Sequence, residues 1–372
     1  MARIPLSHAM TPVLSRHYYF PRADAARRLA MRQAAGDLDT AWRAVDIAPG
    51  GLVAAIDALT GAPPDVAVTR LLPWLLDRQW LCGRLDAALA LLAADPFARP
   101  PLRLVGGGDG GAGGLVLADR GAVRLTLQLR PVAATAPASA AAVFVPGRAA
   151  LHILADGGAS IRLHEVAVSA AEEGGGFTAS AAASCRSDAP RPLCKGETLR
   201  LDTARQSFTL ENGCARACGD VLLLELAVQP PSCLPIRAYD IASGRLTHVS
   251  ASRRDSSFRA MALALLREFG RVDAAPLFAA ETKAGDFAAR WNAMRELVAL
   301  DSATARPLLA AMAATDPHPE VRCAAAATHA LFSLPSGETG REGGGGAGPG
   351  TSPAPSTPIS APRTRDPSPC RA

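Results

Sequence analysis

His152 and His164 are the two imidazoles of this chain best spaced to share a metal ion. A neutral ring nitrogen suits iron, zinc, nickel or manganese, and a site needs at least a third donor. The two histidines flank the turn signal at 156–160, Asp-Gly-Gly-Ala-Ser. With Gly157-Gly158-Ala159 as a hairpin loop, His152 stands opposite His164; with the two-residue loop Gly157-Gly158, His152 faces Leu163 and the pair is lost. Glu165 points to the other face of its strand, which leaves Glu197 or Asp202 as a conceivable third ligand.

Other reactive groups fit known chemistry less well. Cys214 and Cys218 have three residues between them, where the dithiol redox motif has two and a zinc ribbon needs a second pair. Cys82, Cys185, Cys194, Cys233, Cys323 and Cys370 are scattered, so free thiols in a reducing cytoplasm are expected. The glycine-rich stretch 106–114 superficially suggests a phosphate cradle, but no Lys-Ser/Thr pair follows and the next residues form strands rather than a helix. It reads as a loop. No Gly-x-Ser-x-Gly elbow supports a nucleophilic serine, and Glu172-Glu173 reads as a loop-edge charge pair. The formal charge of +5 is small for 372 residues and shows no concentrated basic face; Arg253-Arg254 with Arg259 is a small cluster. Trp291 beside Arg290 could stack on a base, though it reads better as filling a helix–helix interface. The first eight residues lack the apolar run of a secretory signal, and no stretch approaches the ~18 apolar residues of a membrane span.

These groups need elements to hold them. Residues 16–21, rich in tyrosine, read as an arm packed on the body. Helices are expected at 25–35, ending near Gly36, at 52–59, from Pro63-Pro64-Asp65 onwards with a kink or break at Pro73, and at 83–94. Trp74 and Trp80 read as packing residues. Past Pro100-Pro101 the pattern turns to period two: Val123, Leu125, Leu127 and Leu129 share one face against Arg124, Thr126, Gln128 and Arg130. Further strands are expected at 115–117, 142–145, 151–155, 161–168, 198–202, 207–210 and 221–228. Many short strands with turn signals between them argue for an antiparallel sandwich or small barrel. Residues 238–254 read as a connector with a small hairpin. After residue 334 the composition collapses to Gly, Pro, Ser and Thr, which cannot bury enough apolar surface to fold.

Between these lies a repeat. Arg259, Arg290 and Arg322 recur at intervals of 31 and 32 residues. Each is followed three residues on by an alanine (Ala262, Ala293, Ala325) and ten residues on by a large apolar residue (Phe269, Leu300, Phe332). Pro276-Leu277-Phe278 matches Pro307-Leu308-Leu309. Such a period with two helical segments marks stacked helical units. Asp316-Pro317-His318-Pro319-Glu320-Val321-Arg322 opens the last unit. Pro317 and Pro319 suit a helix start, Asp316 can cap exposed N–H groups there, and His318 reads as a helix-start residue. On these residues the segment resembles HEAT repeats, whose recurrent Asp and Arg form a ladder between units. The resemblance implies a protein-binding module in which Arg259, Arg290, Arg322, Asp316 and Trp291 are partner-binding or structural. Departures are present: Asp286 lies four residues before Arg290 rather than six, Asp255 holds the same place before Arg259, and there are two and a half units. Separately, Gly196-Glu197-Thr198-Leu199-Arg200-Leu201 resembles a strand entry of cupin-like jelly rolls, which implies a similar β-fold. The paired His motifs of metal-binding cupins are not in the chain.

The expected architecture is α+β and multidomain: a helical region at 1–98, a cupin-like antiparallel β-sandwich at 99–237, a connector at 238–254, HEAT-like repeats at 255–334 and a disordered tail at 335–372. The expected function is a non-catalytic bacterial adaptor in the cytoplasm, docking a protein partner through the repeats, with no cofactor, no membrane and no nucleic acid. A small ligand in the β-domain is compatible with this. Two alternatives stay open: a divergent metal-dependent cupin enzyme using His152 and His164, and a nucleic-acid binder acting through the basic entrance of the repeats.

Overall fold

The computed structural model describes residues 25–106, 113–131, 140–212, 219–252 and 254–332. The arm at 16–21, the centre of the glycine-rich stretch, Cys214, Cys218, Arg253 and the tail at 335–372 lie outside them. Four helices come first: α1 (Ala25–Ile47), α2 (Leu52–Asp57), α3 (Pro64–Leu76) and α4 (Arg78–Ala94). Helix α1 runs through Gly36, where the sequence suggested an end. One interior glycine costs about 1 kcal/mol against alanine, too little to stop a helix with strong formers on both sides. Helix α3 likewise continues through Pro73. Helix α4 begins at Arg78 rather than near Gly83, because the Asp77 side chain caps it by accepting from the Trp80 N–H at 2.9 Å. Trp74 and Trp80 pack edge to face, with centroids 5.6 Å apart.

Strands β1 (Arg103–Gly106), β2 (Gly113–Arg120), β3 (Val123–Arg130), β4 (Ala141–Phe144), β5 (Arg148–Ala155), β6 (Ala159–Glu165), β7 (Arg186–Ser187), β8 (Arg191–Pro192), β9 (Thr198–Asp202), β10 (Gln206–Asn212), β11 (Val221–Val228), β12 (Ile236–Asp240) and β13 (Leu246–Ser250) follow. Every pairing among them is antiparallel. A six-stranded sheet has the order β1-β2-β3-β11-β5-β9, a second sheet joins β10, β6 and β7 with β8 beside β6, and a third has the order β13-β12-β4. The expected connector therefore contributes its hairpin, β12–β13, to a sheet with β4.

The six-stranded sheet is covered on both faces. On one side Leu125, Ala150, Leu224, Leu226 and Val228 pack against Leu52, Ile56, Val68, Leu71 and Leu75 of the helices. On the other, Leu151, Ile153, Leu201, Val221 and Leu223 meet Ala159, Ile161 and Leu193 of the second sheet. Each fully buried aliphatic side chain is worth about 1.5–3 kcal/mol. Exposed ion pairs at the same seam, such as Arg120–Asp57 at 56% and 46% side-chain exposure, are screened by solvent and add little. Apolar burial holds this layer together.

Five helices complete the described chain: α5 (Arg254–Glu268), α6 (Ala275–Glu281), α7 (Phe287–Leu300), α8 (Ser302–Thr315) and α9 (Pro319–Leu331). The repeat is visible in space. Phe278 and Leu309, matched in the two Pro-Leu-apolar blocks, are both fully buried, as are Ala293 and Ala325. A 3-10 turn at Val272–Ala274 precedes α6 where α8 has its first turn. The large residues ten positions after each arginine are less uniform: Leu300 and Phe332 pack on the module core, whereas Phe269 is 73% exposed.

Candidate protein-docking cleft and arginine ladder

Arg290 and Asp316 form the firmest rung of the stack. The guanidinium donates to both carboxylate oxygens, Nε and Nη2 each at 2.8 Å, across two consecutive helical units. It also donates from Nη1 to the carbonyls of Ala284 and Gly285, at 3.0 and 3.1 Å, just before its own helix. Arg322 repeats that local pattern one unit later, with Nη1 donating to the carbonyls of Asp316 and Pro317 at 2.6 and 3.2 Å. Among the described residues Arg322 forms no carboxylate pair. Arg259 differs again: it is half-exposed, pairs with Asp255 at 2.8 Å, and reaches Glu281 across the turn at 3.1 Å. The ladder is thus tight at its centre and looser at its ends. Burial opposes the charge on Asp316, yet Arg290 and the His318 N–H hold its carboxyl below the ordinary range.

Asp316 does not cap α9 as the sequence suggested. It sits two residues before the N-cap, and its carboxylate serves Arg290 and the His318 N–H. Asp286 takes the capping role at α7, accepting from the N–H groups of Ala288 and Ala289, and also accepts from the Ser252 N–H at 3.0 Å. This ties the exit of the β-region to α7, the start of the second helical unit.

A cleft of about 460 Å³ opens between β13 and the helices α5, α7 and α9. Val249, Phe287, Trp291, Val321 and Ala324 give it an apolar lining, and His248, Asn292, Arg295 and Glu320 stand at its polar edge. Glu320 is engaged, accepting from the N–H and hydroxyl of Ser180. Trp291, partly buried, packs on the module core while facing this cleft.

Residues 246–330 match the family model for HEAT repeats. The match begins at β13, eight residues before α5. A solved cupin domain from Bordetella pertussis Tohama I is similar to the chain at 10% identity, covering 33% of this chain and 99% of that one, with a TM-score of 0.20. The HEAT likeness drawn from the sequence thus recurs over residues 246–330. No curated protein matches the chain by sequence.

The HEAT-like module is joined to the β-region by His318. Its Nε2 lies 2.6 Å from the Phe177 carbonyl; a carbonyl only accepts, so Nε2 carries the proton. The ring stacks on Phe287 with centroids 3.9 Å apart and planes 3° from parallel. The helix-start residue of the sequence reading is therefore a wedge between two parts of the fold.

His152 and His164 do not form the expected hairpin pair. The turn at 156–158 carries the chain from one sheet to another: β5 pairs with β9 and β11, and β6 pairs with β7, β8 and β10. Leu151 and Ile153 face the second sheet, so alternation turns His152 toward the helices. Ile161 and Leu163 face the six-stranded sheet, so His164 turns the other way. His152 shares a hydrogen bond with the Thr198 hydroxyl at 2.9 Å. Both nitrogens of His164 are engaged, with the hydroxyls of Ser187 at 2.7 Å and Thr209 at 2.9 Å. Burial lowers the pKa of both imidazoles, aided by Arg78 and Arg162 respectively. Glu197 is paired with Arg191, and Asp202 with Arg148 and Arg205. Among the described residues no three His, Cys, Asp or Glu side chains are grouped to hold a metal, and no helix is long and apolar enough to cross a membrane.

Two ionisable groups escaped the sequence reading. Glu225 interrupts the apolar strand β11, and burial pushes its carboxyl up despite Arg130 and a hydrogen bond from Gln128. Arg237 on β12 is fully buried, flanked by the rings of Phe144 and Phe177 at 5.8 and 5.7 Å. It donates from Nη2 to the Ala204 carbonyl; among the described residues its Nε and Nη1 have no hydrogen-bond partner, although the Tyr239 hydroxyl favours its charge.

Proposed function

We propose that this chain is a non-catalytic adaptor whose HEAT-like module docks a protein partner in the cleft between β13 and the helices α5, α7 and α9. The observation that carries this reading is the division of labour on the repeated helices. Arg290, Asp316 and Arg322 spend their hydrogen bonds inside the stack, which supports a structural role for them. Trp291, Asn292 and Arg295 face the cleft, and neither Asn292 nor Arg295 has a hydrogen-bond or charged partner among the described residues. Helical repeat stacks commonly present such a surface to a partner. The β-region supplies one wall of the cleft and is otherwise a scaffold. A reducing cytoplasm fits the scattered thiols, of which Cys82, Cys185, Cys194, Cys233 and Cys323 are unbridged.

The test is affinity capture with the full chain beside Arg295→Glu and Ala324→Arg, which reverse a rim charge and fill the cleft. A partner retained by the parent chain and lost by both variants, at unchanged melting temperature, is the expected result. An interaction profile identical in all three proteins would sink the adaptor reading at this cleft.

A further inference from the structure

Among the described residues strand β13 ends its sheet, with β12 on one side and no strand on the other. Its five residues, Leu246, Thr247, His248, Val249 and Ser250, make their ladder bonds to β12 alone, and among the described residues no backbone partner meets the outer edge. An unpaired edge is a row of N–H and C=O groups at strand spacing, and folds usually blunt it with lysine, proline, a bulge or a covering element. Here there is neither lysine nor proline; the register shift between Ala238 and Tyr239 lies near the start of β13 and leaves the stretch from His248 to Ser250 regular. Those three residues line the docking cleft.

Opposite the edge stand groups suited to the side chains of an added strand. Trp291, Val321 and Ala324 form an apolar wall, which takes alternate side chains of an extended peptide. Among the described residues Arg295 is exposed and unpaired, and an oxygen of Glu320, the acidic residue at the rim, is already held by Ser180. Arg295 is therefore the rim group whose donors are free to meet a guest carboxylate. A guest helix would leave the backbone of β13 unpaired, whereas a guest strand satisfies it.

Resting on the docking function proposed above, we infer that the occupant of the cleft is an extended peptide segment of the partner, which adds a strand to β13, places an apolar side chain against Trp291 and sets a carboxylate beside Arg295. Main-chain bonds along β13 give this recognition its affinity, and the wall of α7 and α9 gives it selectivity.

The experiment pans the full chain against a display library of random linear peptides and measures enriched peptides by fluorescence polarisation. Expected are sequences with an apolar residue and an Asp or Glu spaced to share one strand. Arg295→Glu is expected to weaken them roughly tenfold, the factor that follows from losing one charge-assisted hydrogen bond. N-methylation at alternate peptide amides discriminates the backbone mode. Methylation of the amides facing β13 abolishes binding, and methylation of those in between is tolerated. Peptides that depend on Arg295 but bind as helices, or tolerate every N-methyl position, would overturn strand addition and leave the docking function standing. Enriched peptides insensitive to both Arg295→Glu and Ala324→Arg would overturn the two together.

Discussion

Replacing Asp316 by asparagine isolates the central rung of the ladder. Asparagine keeps the shape and an oxygen for the His318 N–H, but removes the charge that Arg290 faces. The two side chains are 9% and 4% exposed, so solvent screens the pair little. Removing one partner of such a pair costs about 3–5 kcal/mol, chiefly because the other charge is stranded. Arg290 keeps the carbonyls of Ala284 and Gly285, which places the expected loss near the lower end, about 3 kcal/mol. At roughly 2–4 °C per kcal/mol, the melting temperature falls by about 6–12 °C. The internal control is Arg259→Gln, whose ion pair is 54% and 57% exposed, so solvent screens it and its loss should leave stability nearly unchanged. Denaturant melts of the three proteins at neutral pH measure both effects. The pH dependence supplies a second check. The Asp316 carboxyl is held below its ordinary range in the fold, so its stabilisation is complete above the unfolded value of roughly 4 and is lost as the pH falls through the folded value. The gap between parent and Asp316→Asn should therefore narrow in acid. A loss below about 1 kcal/mol at neutral pH, or one equal to the control, refutes the reasoning that burial governs this rung.

The remaining predictions concern other buried polar groups. Arg237→Met replaces a desolvated charge that lacks a carboxylate with an apolar chain of similar length, so thermal unfolding should occur at or above the parent temperature; a drop of several degrees would mean that the Ala204 bond and the flanking rings outweigh desolvation. His164 is held below the ordinary imidazole pKa, so its contribution is present above the unfolded value of about 6.5 and is lost as the pH falls through the folded one. Comparison of the parent with His164→Asn between neutral and mildly acidic pH should show a steeper loss in the parent; parallel curves would count against it. His318→Ala removes the bond to the Phe177 carbonyl and the stacking on Phe287, so hydrogen exchange should rise across α9 first, and unchanged protection there would show that the wedge is dispensable.

The helical repeat was legible because its period is carried by residues that must recur: an arginine to hold the turn, an alanine where two helices touch, and a proline before a buried apolar residue. Strand β11 was legible for the same reason, since Val221 to Val228 has the apolar continuity of a strand covered on both faces. The histidine pair misled because a glycine turn that switches sheets has the same composition as a hairpin turn. The discriminating signal lay in β5 itself, where residues 149–153 are buried on consecutive positions and so on both faces. A strand covered on both faces lies in a middle layer, here between the helices and the second sheet, and β6 belongs to the layer packed against it rather than to a hairpin beside it. Glu225 carried a comparable signal, an acid within a doubly buried apolar run. Arg237 carried none, because Ile236, Arg237, Ala238 and Tyr239 alternate as they would on a solvent-facing strand, and long-range packing alone inverts which face is inside.

The arginine ladder also bears on how such an array can grow. Arg290 meets a carboxylate 26 residues further along, and the same interval beyond Arg322 falls on Gly348. The arginine end of a new joint is already poised, its guanidinium oriented by the carbonyls of Asp316 and Pro317. What the sequence lacks at that interval is the acid to meet it. Extension by another unit is therefore a matter of supplying one carboxylate in register with a helix pair behind it. A tandem graft of residues 301–332 after Phe332, which would set a second copy of Asp316 at the same 26-residue interval beyond Arg322, is a direct way to lengthen this solenoid without redesigning its joints.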